Sequence, residues 1–265
     1  MSFYLNFLFG IFLFSSVSFS GSCLKTVQKL IPQGRNVGEI YSELQKQDEN
    51  GKTKLALQSD FDDLIREGGG GACASATAFN LLQGLRVMAG LKTLQPKHNL
   101  SRAFRALPEL LDGRVTNTQM TQLLKYFEKH FPKHQLKISA LRTSQSQAAP
   151  GEAPGEVSEK WDENLFVPKS NEIKMVIYQV HDAKGLLVGR HFVVLKNYEP
   201  GKIITVIDPN YPHKELKFQL TEETDPATGK PLTRVSRADG VPHRLGWVFT
   251  LDTLFSAQLE SKSSR

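Results

Sequence analysis

Helical periodicity fills the first half of this 265-residue chain and strand alternation the second. That order predicts an α+β fold, with a helical half packed on a C-terminal antiparallel sheet. Two observations carry the expectation. From Cys73 to about Leu91 apolar residues cover nearly every face, as in a helix at the centre of a core. Beyond about residue 170, short apolar runs recur between turns with no helical stretch among them. The hydrophobic fraction of 40% and charged fraction of 23% belong to an ordinary globular chain and exclude a disordered one.

The chain opens on an apolar run from Phe3 to Phe14, then a small, polar run from Ser15 to Ser22, and its first charged side chain is Lys25. This pattern predicts a secretory signal peptide over 1–20, with Ser18-Phe19-Ser20 as the small-x-small site and cleavage before Gly21. The run carries no Lys or Arg ahead of it, and its strongly apolar part is shorter than the ~20 residues a bilayer needs. Export to a periplasmic or extracellular space is therefore the expectation, with an uncleaved membrane anchor as the alternative. Cys23, after Gly21-Ser22, resembles a lipoprotein cleavage site, except that Ser20 stands where an aliphatic residue is usual. A lipid tether through Cys23 is the second membrane alternative.

Residues 21–55 carry mixed periodicity and read as an N-terminal extension packing on a main domain, 56–255. The central helix begins at Cys73, directly after Gly68-Gly69-Gly70-Gly71, where glycines allow a tight backbone approach. A second helical stretch runs from about Ser101 to Leu111. A third starts at the cap candidates Thr116, Asn117 and Thr118 and reaches Phe131, before Pro132 stops it. Gln135–Leu141 alternates as a strand. Residues 143–158, polar and rich in Pro and Gly, read as an exposed, flexible loop. Strands then follow over Ile173–Val180, His191–Tyr198, Lys202–Ile207, Glu215–Leu220 and Gly246–Leu251. The turn Glu199-Pro200-Gly201 makes an antiparallel hairpin of the second and third. Residues 256–265 read as a polar tail.

Several function classes are set aside by composition. The net charge of +6 is spread along the chain, without the basic stripe or module that nucleic-acid binding requires. Two cysteines cannot build a Cys₄ or Cys₂His₂ zinc site, and Pro132 interrupts the His130/His134 spacing. Ala227-Thr228-Gly229-Lys230-Pro231 lacks the spacing of a phosphate loop. Neither a cofactor nor a metal is expected. If Cys23 is lipidated or removed, Cys73 stays a thiol in an oxidising compartment.

A thiol at a helix N-terminus meets the positive end of the macrodipole, which favours thiolate, although a cysteine is as often a small core hydrophobe. A cysteine peptidase further needs a histidine to carry the proton and a side chain to orient it. His191 begins one hairpin strand and Asp208 ends the next, so the pairing of the two strands would set them side by side. His181, followed by Asp182, is a weaker base, and Asn210 a weaker orienting group because it lies past Pro209.

Gly-Ala-Cys-Ala-Ser-Ala at 71–76 with an apolar helix, His-Phe-Val-Val-Leu at 191–195, and Asp208-Pro209 together resemble the papain-like cysteine peptidases. Within that superfamily the resemblance is to the bacteriocin-processing, double-glycine leader peptidases and their stand-alone relatives, over roughly residues 56–211. It implies Cys73 as nucleophile, His191 as general base and acid, and Asp208 as the orienting carboxylate. The family also places an oxyanion-binding glutamine about six residues before the cysteine. Here position 67 is Glu, which cannot donate when ionised, and the nearest upstream glutamine is Gln58. A longer glycine-rich loop would let Gln58 take that role; the alternative is that the backbone N–H groups of Ala72 and Cys73 serve instead. The expectation is an exported cysteine peptidase whose partner is a peptide or protein substrate. A non-catalytic peptide-binding module, favoured by Glu67, and a transglutaminase-like acyl transferase are the alternatives.

Overall fold

Asn36 caps the first helix, α1 (Val37–Leu44), by accepting from the Glu39 N–H at 2.8 Å. Val37, Ile40, Tyr41 and Leu44 recur at helical spacing and are all buried, so this part of the expected extension belongs to the core. The computed structural model describes residues 36–60, 72–95, 115–143, 156–158, 162–225, 229–240 and 246–262, all within one compact unit, Pro32–Arg265. The signal-peptide segment, Cys23, Glu67, Gly68–Gly71, the helix expected over Ser101–Leu111 and the stretch 144–155 lie outside the described residues. Among the described residues no helix is long and apolar enough to cross a membrane.

Helix α2 (Ala72–Met88) is buried on every side over its first fourteen residues, as its all-round apolarity predicts. Alternate alanines at 72, 74, 76 and 78 keep its surface thin, so neighbouring elements approach closely. Helix α3 (Asn117–Phe127) starts with a capping box in which Thr116 accepts from the Gln119 N–H and the Gln119 side chain accepts from the Thr116 N–H. The α-helix ends at Phe127, earlier than expected, and a 3₁₀ turn over Glu128–His130 carries the chain to buried Phe131.

Eight strands follow among the described residues: β1 (His134–Thr143), β2 (Glu156–Ser158), β3 (Glu172–His181), β4 (Leu187–Glu199), β5 (Ile203–Ile207), β6 (Glu215–Thr224), β7 (Pro231–Arg237) and β8 (Val248–Ser261). Seven pair antiparallel, in the order β1-β8-β3-β4-β5-β6-β7, and β2 adds parallel to β1 at the edge. Helices first and an antiparallel sheet second is the α+β arrangement read from the sequence. Strand β7 also pairs with β8, Arg234 with Thr250 and Val235 with Phe249, so β3 to β8 close into a ring.

Strand alternation then separates two apolar layers. Val176, Tyr178, Val193, Leu195, Val206 and Phe218 share the layer inside the ring. Met175, Ile177, Phe192, Val194 and Phe255 face the helices. Two expectations are corrected. Residues 256–261 are no tail, because β8 continues through buried Ala257 and Leu259 against β1 and leaves the sheet only after Ser261. The loop expected over 143–158 gives up both ends, Thr143 to β1 and Glu156–Ser158 to β2. Strand β7 escaped the sequence reading because it opens on Pro231 and is half polar.

Gly84 marks the tightest crossing. A Cβ there would lie 2.5 Å from both Ile173 Cδ1 and the Tyr41 hydroxyl. At an open helical site Gly→Ala stabilises, but here overpacking wins. Gly84→Ala is expected to lower stability by about 1–3 kcal/mol, read as a lower urea midpoint at unchanged slope.

Candidate active site

The pairing of β4 determines where the site is built. Its partner β5 is in register only from Val194, opposite Ile207, so residues 187–193 have β3 on one side and, among the described residues, no strand on the other. Helix α2 lies against that open edge. The Thr77 hydroxyl donates to the Phe192 carbonyl at 2.8 Å, and one turn earlier the Cys73 thiol addresses the Arg190 carbonyl at 3.9 Å. Four helical residues rise about 6 Å and two strand residues about 6.7 Å, so the two repeats match. His191 sits between the two engaged carbonyls. Cys73 is thereby held in the first turn of α2, 5% exposed, as a thiol and not a disulfide.

The same register brings Asp208 to His191. Past Ile207 the chain leaves β5, level with Val193, and His191 lies two residues further along on the same face of β4, a diagonal neighbour. His191 Nε2 donates to Asp208 Oδ2 at 2.9 Å, and the other carboxylate oxygen accepts from the Asn210 N–H at 2.8 Å. Asp208 is 2% exposed, so the carboxylate lies in a dry setting with both oxygens engaged. The imidazole also hydrogen-bonds to the Cys73 side chain, and with Nε2 committed to Asp208 the ring atom left for sulfur is Nδ1. Burial on its own disfavours the imidazolium. The Asp208 charge and hydrogen bond, followed by the hydrogen bond and charge of Cys73, outweigh it and push His191 up to about 10. His191 therefore carries its proton at neutral pH.

Gln58 reaches the same corner of the molecule. Its N–H donates to the Pro209 carbonyl at 2.8 Å, next to Asp208. Its side-chain Oε1 is enclosed and has no hydrogen-bond partner among the described residues. Buried amides of α2 hold the segment that carries it. Asn80 pairs with both backbone groups of Ala56, at 2.6 and 3.1 Å, and Gln83 donates to the Lys54 carbonyl at 2.8 Å. The structure thus brings Cys73, His191, Asp208 and the Gln58 backbone together. It does not bring in His181, whose ring nitrogens face the Gly185 carbonyl and the Thr250 hydroxyl, with no carboxylate among them. Asn210 is exposed and supports Asp208 through its backbone rather than replacing it.

Other residues of the site had escaped notice. The Tyr178 ring pairs across the strands with His191, centroids 5.3 Å apart, and is itself packed against Phe249 and Phe218. Burial, then the nearby charges of Asp208 and Cys73, hold its hydroxyl protonated well above the ordinary tyrosine range. Arg190 forms an ion pair with Asp252, Nε to Oδ2 3.0 Å, and Gln179 donates to the other carboxylate oxygen at 3.2 Å. The available signal was a polar residue inside an apolar run, Gln179 in β3 and Asp252 in β8. Thr77, Asn80 and Gln83 give the same signal in α2, three residues apart. Among the described residues no group of three His, Cys, Asp or Glu side chains is arranged to hold a metal ion. No family model matches this chain, and no curated protein matches it in sequence.

The raised His191 has a thermodynamic consequence. A proton bound more tightly in the folded than in the unfolded chain stabilises fully below the unfolded pKa of about 6.5 and loses that effect as pH rises through about 10. Asp208→Asn removes the charge that sustains it. The Tm deficit of that variant is expected to be largest at or below about pH 6.5 and to shrink steadily towards pH 10. A deficit independent of pH across that window would contradict the assigned proton.

Proposed function

We propose that this chain is an exported cysteine peptidase of papain-like architecture, which cuts peptide bonds through an acyl-enzyme on Cys73. The observation that carries the reading is the continuous contact from the Cys73 thiol, through the His191 imidazole, to the buried Asp208 carboxylate. A histidine that holds its proton at neutral pH stabilises negative charge on the sulfur beside it, which is the nucleophilic form. The thiolate adds to the scissile carbonyl carbon. Imidazolium His191 then gives its proton to the departing amine as the C–N bond breaks and a thioester remains. Neutral His191 takes a proton from water, which adds to the thioester and releases the acid, and sulfur leaves as thiolate. Asp208 holds the ring orientation through both halves.

Negative charge that develops on the carbonyl oxygen needs donors. The Cys73 N–H in the first turn of α2 and the Gln58 side-chain amide are the candidates. Gln58 stands fifteen residues before Cys73, and its backbone bond to Pro209 sets it beside the triad in spite of that separation. That placement supports turnover over the non-catalytic module, because position 67 then has no donor role to fill. The sequence resemblance extends the reading to bacteriocin-processing-type peptidases and so to peptide substrates. Export rests on the apolar N-terminal segment.

The first test is the pH profile of iodoacetamide alkylation at Cys73 in the full chain, followed by the mass of the Cys73 peptide. Reaction is expected to stay fast at about pH 6, where an ordinary thiol is almost wholly protonated, and to slow at least about tenfold in His191→Ala. Ordinary thiol behaviour indifferent to His191 would overturn the proposal. The second test separates oxyanion binding from thiol activation, since alkylation develops no oxyanion. Gln58→Ala is expected to slow acylation by p-nitrophenyl acetate by about 10²–10³ while its alkylation profile stays where it was.

A further inference from the structure

Asp252 has a chemical setting that neither the core nor the proposed triad accounts for. In the pairing of β8 with β3, Ile177 stands opposite Thr253 and Tyr178 opposite Leu251, so Asp252 is the extra residue of a β-bulge. It is fully buried, at 0% exposure, and carries its charge into a position that alternation alone would not give it. Its Oδ1 accepts from Gln179 of β3 at 3.2 Å, and its Oδ2 lies 3.0 Å from Nε of Arg190 on β4. Gln179 and Arg190 are themselves cross-strand partners. One carboxylate therefore ties together three adjacent strands at a single level.

That level is the level of the chemistry. The carbonyl that faces the Cys73 sulfur belongs to Arg190, and the next residue is His191. No strand among the described residues pairs with the second edge of β4 here, so the backbone is laddered on the β3 side alone. A buried ion pair contributes little net stability, because desolvation of both charges offsets their attraction. Its effect is to fix geometry, and the geometry fixed here is that of the thiol and the imidazole.

We propose that Asp252 is a positioning residue for the Cys73–His191 pair, acting through the Arg190 side chain to hold the carbonyl and strand against which the thiol is aligned. The inference rests on the peptidase reading.

Stability and reactivity are separable in its test. In Arg190→Met the Asp252 carboxylate loses the Arg190 cation, and both the urea midpoint and Cys73 alkylation at about pH 6 are expected to fall. Replacing both partners, Arg190→Met with Asp252→Leu, is expected to return the urea midpoint towards that of the unsubstituted chain. Alkylation at that pH is expected to remain slowed about tenfold or more, because alignment is not restored. Asp252→Asn, which keeps shape and the bond from Gln179, provides a milder version and is expected to show the same slowing with a smaller loss of midpoint.

A double variant that recovers both quantities, or an Asp252→Asn profile that coincides with the parent's, would overturn the positioning role. Either result leaves the peptidase reading in place, since that reading fails only if the parent's own profile ignores His191→Ala.

Discussion

The open edge of β4 is the constraint on which the rest of the structure depends. Strand β5 stops pairing at Val194, and beyond it the outward carbonyls of β4 need partners that a sheet no longer provides. Helix α2 meets that need at the Phe192 carbonyl with the Thr77 hydroxyl and sets the Cys73 sulfur against the Arg190 carbonyl. Those contacts fix the helix along its axis relative to the strand, since a slip of one residue would take Thr77 away from its carbonyl. The thiol, the imidazole and the carboxylate that emerges at the end of β5 are thereby placed by one feature, the point where the hairpin ladder ends.

The N-terminal segment completes what the edge begins. Helix α1 and residues 52–58 pass over α2, held by the Tyr41 hydroxyl on the Asn80 carbonyl and by the Asn80 and Gln83 amides on the backbone of Ala56 and Lys54. At the far end, Lys196 enters from β4 and donates to the Ser42 hydroxyl and Gln45 amide while paired with Glu215. Gln45 in turn donates to the Pro212 carbonyl at 3.0 Å, and Gln58 to that of Pro209. The turn that carries Asp208 is thus gripped from both ends by a segment that comes before Cys73 in the chain. A long separation in sequence between Gln58 and Cys73 costs little, because α2 itself anchors the segment.

How much of this was legible follows from how local each signal is. Helix α2 announced itself through all-round apolarity, and α3 through the cap candidates Thr116, Asn117 and Thr118 and the stop at Pro132. The hairpin of β4 and β5 was marked by Glu199-Pro200-Gly201, where Gly201 and Lys202 take positive φ of 87° and 62°. With hairpin order known, His191 and Asp208 had to be neighbours, and the 2.9 Å contact between them agrees. What escaped was non-local. Closure of the ring depends on β8 meeting both β3 and β7, and nothing in the alternation of β8 names two partners. The Asp252 bulge is invisible without a partner strand to count against. Tyr178 read as one more strand aromatic until pairing set it against His191.

The electrostatics of the site then follow from its dryness. Burial alone would leave a neutral imidazole, the ordinary condition of a core. The Asp208 carboxylate reverses that outcome because it is more deeply buried than the histidine, 2% against 15% side-chain exposure, and water screens it poorly. The other polar groups at this level add little net charge. The Tyr178 hydroxyl stays protonated, and Arg190 and Asp252 oppose one another at 3.0 Å. The largest influence that favours the imidazolium comes from the end of β5, ahead of that of Cys73. The proton on His191 therefore depends chiefly on this carboxylate, and so on the turn at Pro209 that carries it, and through that turn on Gln58 and the N-terminal segment. The electrostatics of the site are in this sense a property of the whole compact unit and not of the helix that carries Cys73.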